Sequence, residues 1–271
     1  MATSSGPTPE ASRKQTPQCW KTFAVSVEGT QHQRKGIPCQ DACRASGVAS
    51  GWLVAVAADG AGSAAFGGNG ARVVCDYLYE FLTRLIARGA ISVDEVMQWP
   101  KLIPRVLLAA RRRLEVEARK RGPPVSLADF DTTVVGALAG PWGGILFHIG
   151  DGAGCAVMGS DWRGAIVSPP ENGQYEDETY FLTMEEWERH LRITPFGPER
   201  DTLLLLTDGG TSFIMAAQFA GPEPRFIAPV HQVLRQEEGP EVERELAALF
   251  HRPDVARVSG DDITFVWAHR S

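Results

Sequence analysis

Three times in this chain a run of apolar residues stops at Asp-Gly. Trp52 to Ala58 precede Asp59-Gly60, Ile145 to Ile149 and Gly150 precede Asp151-Gly152, and Leu203 to Leu206 and Thr207 precede Asp208-Gly209. A fourth segment reverses the order, with Asp261-Asp262 opening the run Ile263 to Trp267. Short apolar runs bounded by turn formers read as buried strands, so each carboxylate falls where a core strand reaches the sheet edge. Carboxylates gathered at one edge repel one another and call for a cation. The competing reading is that each Asp-Gly merely closes a turn, since both residues tolerate positive φ. Asp151 suits a hairpin best, because Gly152 to Gly154 lead into the apolar Cys155 to Met158. Asp59 suits it poorly, because a small-residue loop from Ala61 to Gly70 and then a helix follow.

At 271 residues, 44% hydrophobic and 22% charged, the chain has the balance of a globular protein with a substantial core. A net charge of −6 with no dominant basic stripe speaks against a nucleic-acid surface. The run Arg111 to Arg113 reads as the solvated face of a helix. No stretch approaches the ~18–20 apolar residues of a membrane span. Residues 1–18, rich in Ser, Thr and Pro, read as a disordered lead-in without a signal-peptide core, and a cytoplasmic protein is expected. Five cysteines, an odd count without a paired framework, read as reduced thiols. His32, Cys39 and Cys43 match no common zinc spacing.

Along the chain, Trp20 to Val27 alternate as a first strand, and Glu28 to Gln40 form a polar segment with turn formers. Helices are predicted from Ala71 to about Arg88, with Val74, Leu78 and Leu82 on its apolar face, and from about Pro100 to Arg121. Asp131 to Leu138 and Gly144 to His148 read as a hairpin across Gly140 to Gly143. Trp162 to Val167 read as a further short strand. Residues 168–200, Pro- and acid-rich, read as a mobile insertion over a site rather than as core. A helical stretch near Phe213 to Phe219, a last helix from Glu241 to His251 and the closing strand complete the order. Two antiparallel sheets flanked by helices suit it.

Several carboxylates without matching His or Cys ligands prescribe Mg²⁺ or Mn²⁺ rather than zinc. Two such ions lower the pKa of a shared water and orient it for in-line attack on a phosphoester. Here the sequence resembles the metal-dependent protein phosphatases of the 2C type, from about Trp20 to Trp267. The motifs carrying the resemblance are Gly36 to Asp41, Val56 to Gly62, Asp131 to Val134, Ile149 to Gly152, Leu206 to Gly209 and Gly260 to Thr264. The resemblance implies an α+β fold, a four-layer α-β-β-α sandwich of two face-to-face antiparallel sheets with helix pairs on both outer sides. It implies one catalytic domain over residues 19–271, with 168–200 as its flap. It implies hydrolysis of phosphoserine and phosphothreonine by a metal-bound water without a phosphoenzyme. Asp41, Asp59, Asp208 and Asp261, with the Gly60 carbonyl, are implied ligands of two ions, and Asp151 with Asp208 of a third. A phosphorylated protein substrate, a cognate serine/threonine kinase and a monomeric state are implied in turn.

The chain departs from that family's pattern at three points. Ala61 stands where many members carry a His two residues after the bridging Asp. Gln40 stands where an acidic residue precedes the first metal Asp. The phosphate-binding Arg has no fixed equivalent among His32, Arg34 and Lys35: His32 suits a phosphate ligand or an acid, and Arg34 a bidentate phosphate contact. Asp262 is expected to point away from Asp261, as successive strand residues do. A regulatory module with lost turnover and a hydrolase of small phosphomonoesters are the alternative readings.

Overall fold

The computed structural model describes residues 19–48, 51–90, 99–171 and 179–271. Two five-stranded antiparallel sheets form its centre. The first runs in the order β1 (Trp20–Val27), β10 (Ile263–Arg270), β9 (Thr202–Leu206), β6 (Ala153–Val157) and β7 (Ile166–Ser168). The second runs β2 (Asp41–Val48), β3 (Trp52–Asp59), β4 (Val134–Gly140), β5 (Gly143–Ile149) and β8 (Arg192–Phe196).

The apolar run of β3 is continuous rather than alternating because both of its faces are buried. Leu53, Ala55 and Ala57 face the other sheet, where they meet Leu203, Leu205, Val266 and Ala268. Trp52, Val54, Val56 and Ala58 face the opposite way, toward helices. Those helices are α2 (Gly67–Ala87) and α3 (Trp99–Arg121). Val74, Leu78, Leu82 and Ile86 of α2 and Ile103, Val106, Leu107, Ala110, Leu114 and Ala118 of α3 make the buried stripes. The first sheet's outer face is covered by α4 (Asp208–Ile214), α5 (Pro224–Gln236) and α6 (Glu241–Phe250), through Ile214, Ile227, Leu234, Val242, Leu246 and Phe250. Three apolar layers thus alternate with the two sheets, and the α-β-β-α sandwich is the observed fold. No helix among the described residues is long and apolar enough to cross a membrane.

The structure adds elements that periodicity did not reveal. The polar segment before Asp41 contains a short helix, α1 (Thr30–Lys35), which buries no residue and so carries no apolar period. Asp41 opens a strand, β2, whose sequence of Cys, Ala, Arg, Ser and Gly has little strand propensity and which pairs along the whole of β3. The α5 helix holds Pro224 in its first turn and Pro229 inside it, so its sequence looks broken. A short α7 (Pro253–Ala256) precedes the last strand.

The lead-in 1–18 and residues 172–178 of the proposed insertion lie outside the described residues. The remainder of 168–200 differs from its sequence reading. Leu182 and Trp187 are buried against the α2 and α3 layer, and β8 pairs with β5 as an edge strand. Pro195 within β8 removes a ladder donor, which only an edge position tolerates.

Candidate metal centre

Antiparallel register brings the carboxylates to one end of the sandwich. Asp41 lies opposite Asp59 where β2 begins and β3 ends. Leu206, near the end of β9, pairs with both Ala153 and Phe265, so Asp151, Asp208 and Asp261 leave their strands at a common edge. Asp208 is the first residue of α4, where a carboxylate meets the favourable end of the helix dipole. Asp59, Asp151 and Asp208 each offer a carboxylate oxygen within 4.8 Å of the others. A second group at the same distance joins His32, Asp261 and Asp262.

Hydroxyls hold the carboxylates in place. Thr207 and Thr264 donate to Oδ2 of Asp41 at 2.7 and 2.8 Å, and the Thr207 hydroxyl accepts the Thr264 N–H at 2.9 Å. Thr179 donates to Oδ2 of Asp151 at 2.6 Å. The Asp59 backbone is clamped by two threonines: the Thr132 hydroxyl donates to its carbonyl at 2.9 Å, and the Thr133 hydroxyl accepts its N–H at 3.0 Å. Two glycines admit the close approach of backbones. A Cβ at Gly60 would lie 2.2 Å from the Gly67 carbonyl carbon, and one at Gly209 would lie 2.0 Å from the Asp262 carbonyl oxygen. The Gly of each Asp-Gly is therefore a packing requirement as well as a turn former.

This arrangement is electrostatically strained without a cation. Burial, followed by the charges of Asp41 and Asp151, holds the Asp59 carboxyl well above the usual carboxylate range. Burial and the charges of Asp59, Asp151 and Asp261 push Asp208 up to about 8, against the lowering effect of the Gly209 N–H. Burial raises Asp41 too, although the Thr207 and Thr264 hydroxyls oppose it. Oδ1 of Asp41 and Oδ1 of Asp151 are buried without a hydrogen-bond partner, a costly state for a carboxylate oxygen. Carboxylate oxygens, converging and partly unpaired, are the donor set of a hard divalent ion. The residues present fit Mg²⁺ or Mn²⁺.

The compact trio includes Asp151, expected at the periphery, whereas Asp261 is exposed beside His32 and acts on Asp59 and Asp208 through its charge. Asp262 turns away from the trio. Its Oδ1 accepts the Gly29 N–H at 2.7 Å, and its Oδ2 accepts the Gln40 N–H at 2.6 Å and lies 2.9 Å from Nδ1 of His32. The Gln40 carbonyl in turn accepts the Gly60 N–H at 3.2 Å. The backbone of Gln40, rather than its side chain, thus ties Asp41 to both neighbouring motifs. Arg34 and Lys35 are exposed in the last turn of α1. Ala61 is buried, with its N–H on the Asp131 carbonyl, and the Asp131 carboxylate takes the Thr183 hydroxyl. Burial raises the Cys39 thiol far above its ordinary value and Cys43 to about 11. Sequence reasoning gave no role to Thr207, Thr264 and Thr179. Only the first two had a signal, their place beside a metal-motif Asp.

A model of the family described as protein phosphatase 2C matches residues 28–251. Serine/threonine-protein phosphatase 3 of Escherichia coli (strain K12) is 26% identical over 217 residues, covering 78% of this chain and 81% of that protein. Among solved structures, serine/threonine phosphatase Stp1 from Staphylococcus aureus aligns with a TM-score of 0.62 at 17% identity, over 96% of this chain and 99% of that one. The catalytic domain of serine threonine protein phosphatase PstP, in complex with two manganese ions, aligns with a TM-score of 0.59 at 18% identity, over 93% and 99%. These two likenesses speak for the fold. The family match spans most of the chain, including the carboxylate motifs from Asp41 to Asp208: the chain belongs to the protein phosphatase 2C family.

Proposed function

We propose that this protein hydrolyses phosphoserine and phosphothreonine in phosphorylated proteins with the help of Mg²⁺ or Mn²⁺. Asp41, Asp59, Asp208 and Asp261, with the Gly60 carbonyl, hold two ions, and Asp151 with Asp208 serves a third. When bound, the ions supply Lewis acidity and a water of lowered pKa for in-line attack on phosphorus. The protein's own part is to fix the acceptor oxygens before substrate arrives: Thr207 and Thr264 aim Asp41, Thr132 and Thr133 aim Asp59, and Thr179 aims Asp151. Arg34, exposed in the last turn of α1, offers a guanidinium suited to a bidentate grip on phosphate. His32, fixed by Asp262, stands beside Asp261. The protein acts as a cytoplasmic monomer opposing a serine/threonine kinase.

The observation that carries this reading is the convergence of Asp59, Asp151 and Asp208 oxygens within 4.8 Å in a chain of this family. Mn²⁺-dependent release of phosphate from a phosphothreonine peptide is the test. It is expected to vanish with chelator and to fall by three orders of magnitude or more, ~4 kcal/mol of barrier, in Asp208→Asn. Intact metal binding without turnover overturns the enzyme, and preference for small phosphomonoesters overturns the substrate.

A further inference from the structure

His32 is held in one tautomer by its surroundings. Asp262 is 2% exposed and spends both of its oxygens as acceptors, Oδ1 for the Gly29 N–H and Oδ2 for the Gln40 N–H. A carboxylate fixed by two backbone donors is an acceptor for its third neighbour as well. The His32 Nδ1, 2.9 Å from Oδ2, therefore carries the proton, and in the neutral ring Nε2 is left as a bare lone pair. A lone pair repels a phosphate oxygen and attracts a cation. A carboxylate on one ring nitrogen with the other nitrogen free is also how metal-binding histidines are oriented and made more basic.

His32 also lies close to Asp261. His32, Asp261 and Asp262 offer atoms within 4.8 Å of one another, and Asp261 is the exposed carboxylate whose charge reaches Asp59 and Asp208. The start of α1, which carries His32, is seated directly on this segment: the Gln31 N–H donates to the Gly260 carbonyl at 2.9 Å, and a Cβ on Gly29 would lie 2.2 Å from the Asp261 carbonyl carbon. His32 and Asp261 are thus held together by backbone contacts as well as by Asp262. Asp262, buried and already accepting from two backbone donors, serves as the orienting residue.

We propose that Nε2 of His32 is a ligand of the ion held by Asp261. This rests on the metal-centre reading above and gives an otherwise all-oxygen site one imidazole nitrogen. Imidazole suits later first-row metals better than Mg²⁺, so the centre is biased toward Mn²⁺ and its successors.

The test is pulsed electron paramagnetic resonance of the full-length protein loaded with Mn²⁺ alone, read for ¹⁴N modulation from a directly coordinated imidazole. The wild-type protein is expected to show it and His32→Ala to lose it. Competition binding is expected to show His32→Ala losing ~10-fold or more in Mn²⁺ affinity with a smaller loss for Mg²⁺. Bound Mn²⁺ without ¹⁴N modulation in the wild-type protein, a measurement that needs no variant to fold, overturns the nitrogen ligand and leaves the metal centre standing. Modulation that persists in His32→Ala overturns it too. Failure of the wild-type protein to bind Mn²⁺ overturns the centre itself.

Discussion

Thr207 shows how much of this site rests on neutral side chains. Its hydroxyl donates to Asp41 and accepts from the Thr264 backbone, so it joins two metal motifs across the gap between the sheets. Thr207→Val keeps the shape and removes both bonds. The expected result is a loss of about 2 kcal/mol in stability at neutral pH, the usual scale for a hydrogen bond to a buried charged group. A fall of ~10-fold or more in Mn²⁺ affinity should accompany it. Urea unfolding with and without Mn²⁺, together with calorimetric titration, reads both. At this scale the sequence was informative about residue type and poor about partners. The abrupt stops at Asp59 and Asp208 were visible as chemistry. That Asp262 holds His32 and the backbone of Gln40 was not: strand alternation pointed it away from Asp261, but both residues precede β10 and their carboxylate oxygens lie within 4.8 Å of each other.

Elements divide into those that hold the centre and those that hold the sandwich. α3 belongs to the second kind: Leu107 is fully buried beneath it in the layer against the second sheet. Leu107→Ala is expected to cost about 2–5 kcal/mol, the transfer loss plus the cavity left behind, and to leave the Mn²⁺ dissociation constant of the folded fraction unchanged. Thermal unfolding and metal titration below the transition separate the two. The elements legible in the sequence were those with an apolar period, α2 and α3 among the helices and β3 and β9 among the strands. β2 and β8 owe their existence to partners. Asp41 to Val48 is a strand because β3 offers it a full ladder, and Arg192 to Phe196 is one because β5 offers an edge.

The whole molecule responds to pH through two opposed sets of groups. In the metal-free protein Asp41, Asp59 and Asp208 have folded pKa values raised above the unfolded carboxylate value, Asp208 to about 8. Between the unfolded value near ~4 and that upper limit the folded state holds more protons than the unfolded chain. Stability is therefore expected to fall as pH rises through this window, and saturating Mn²⁺ to remove the decline. Burial lowers His148 well below its ordinary value and lowers His231 to about 4. Their contribution is present above the unfolded value near ~6.5 and is lost as pH falls toward 4. Melting temperatures from pH 5 to 8, with chelator and with Mn²⁺, should slope in opposite directions. A downward slope that survives in Mn²⁺ would show that the carboxylates are not the metal ligands.

The sequence by itself determined the strand cores, the carboxylates at their ends and the hard-cation chemistry they imply. These are local properties: an apolar run, a turn dipeptide and a side-chain oxygen all lie within a few residues of one another. Tertiary structure alone decided which carboxylates meet. Antiparallel register, set by pairing over long separations, placed Asp41 opposite Asp59 and gathered Asp151 with Asp59 and Asp208. The same pairing turned Asp262 onto His32 at the start of α1. No periodicity in the chain encodes that choice, because it depends on how two sheets stack and on which hydroxyls that stacking brings within reach.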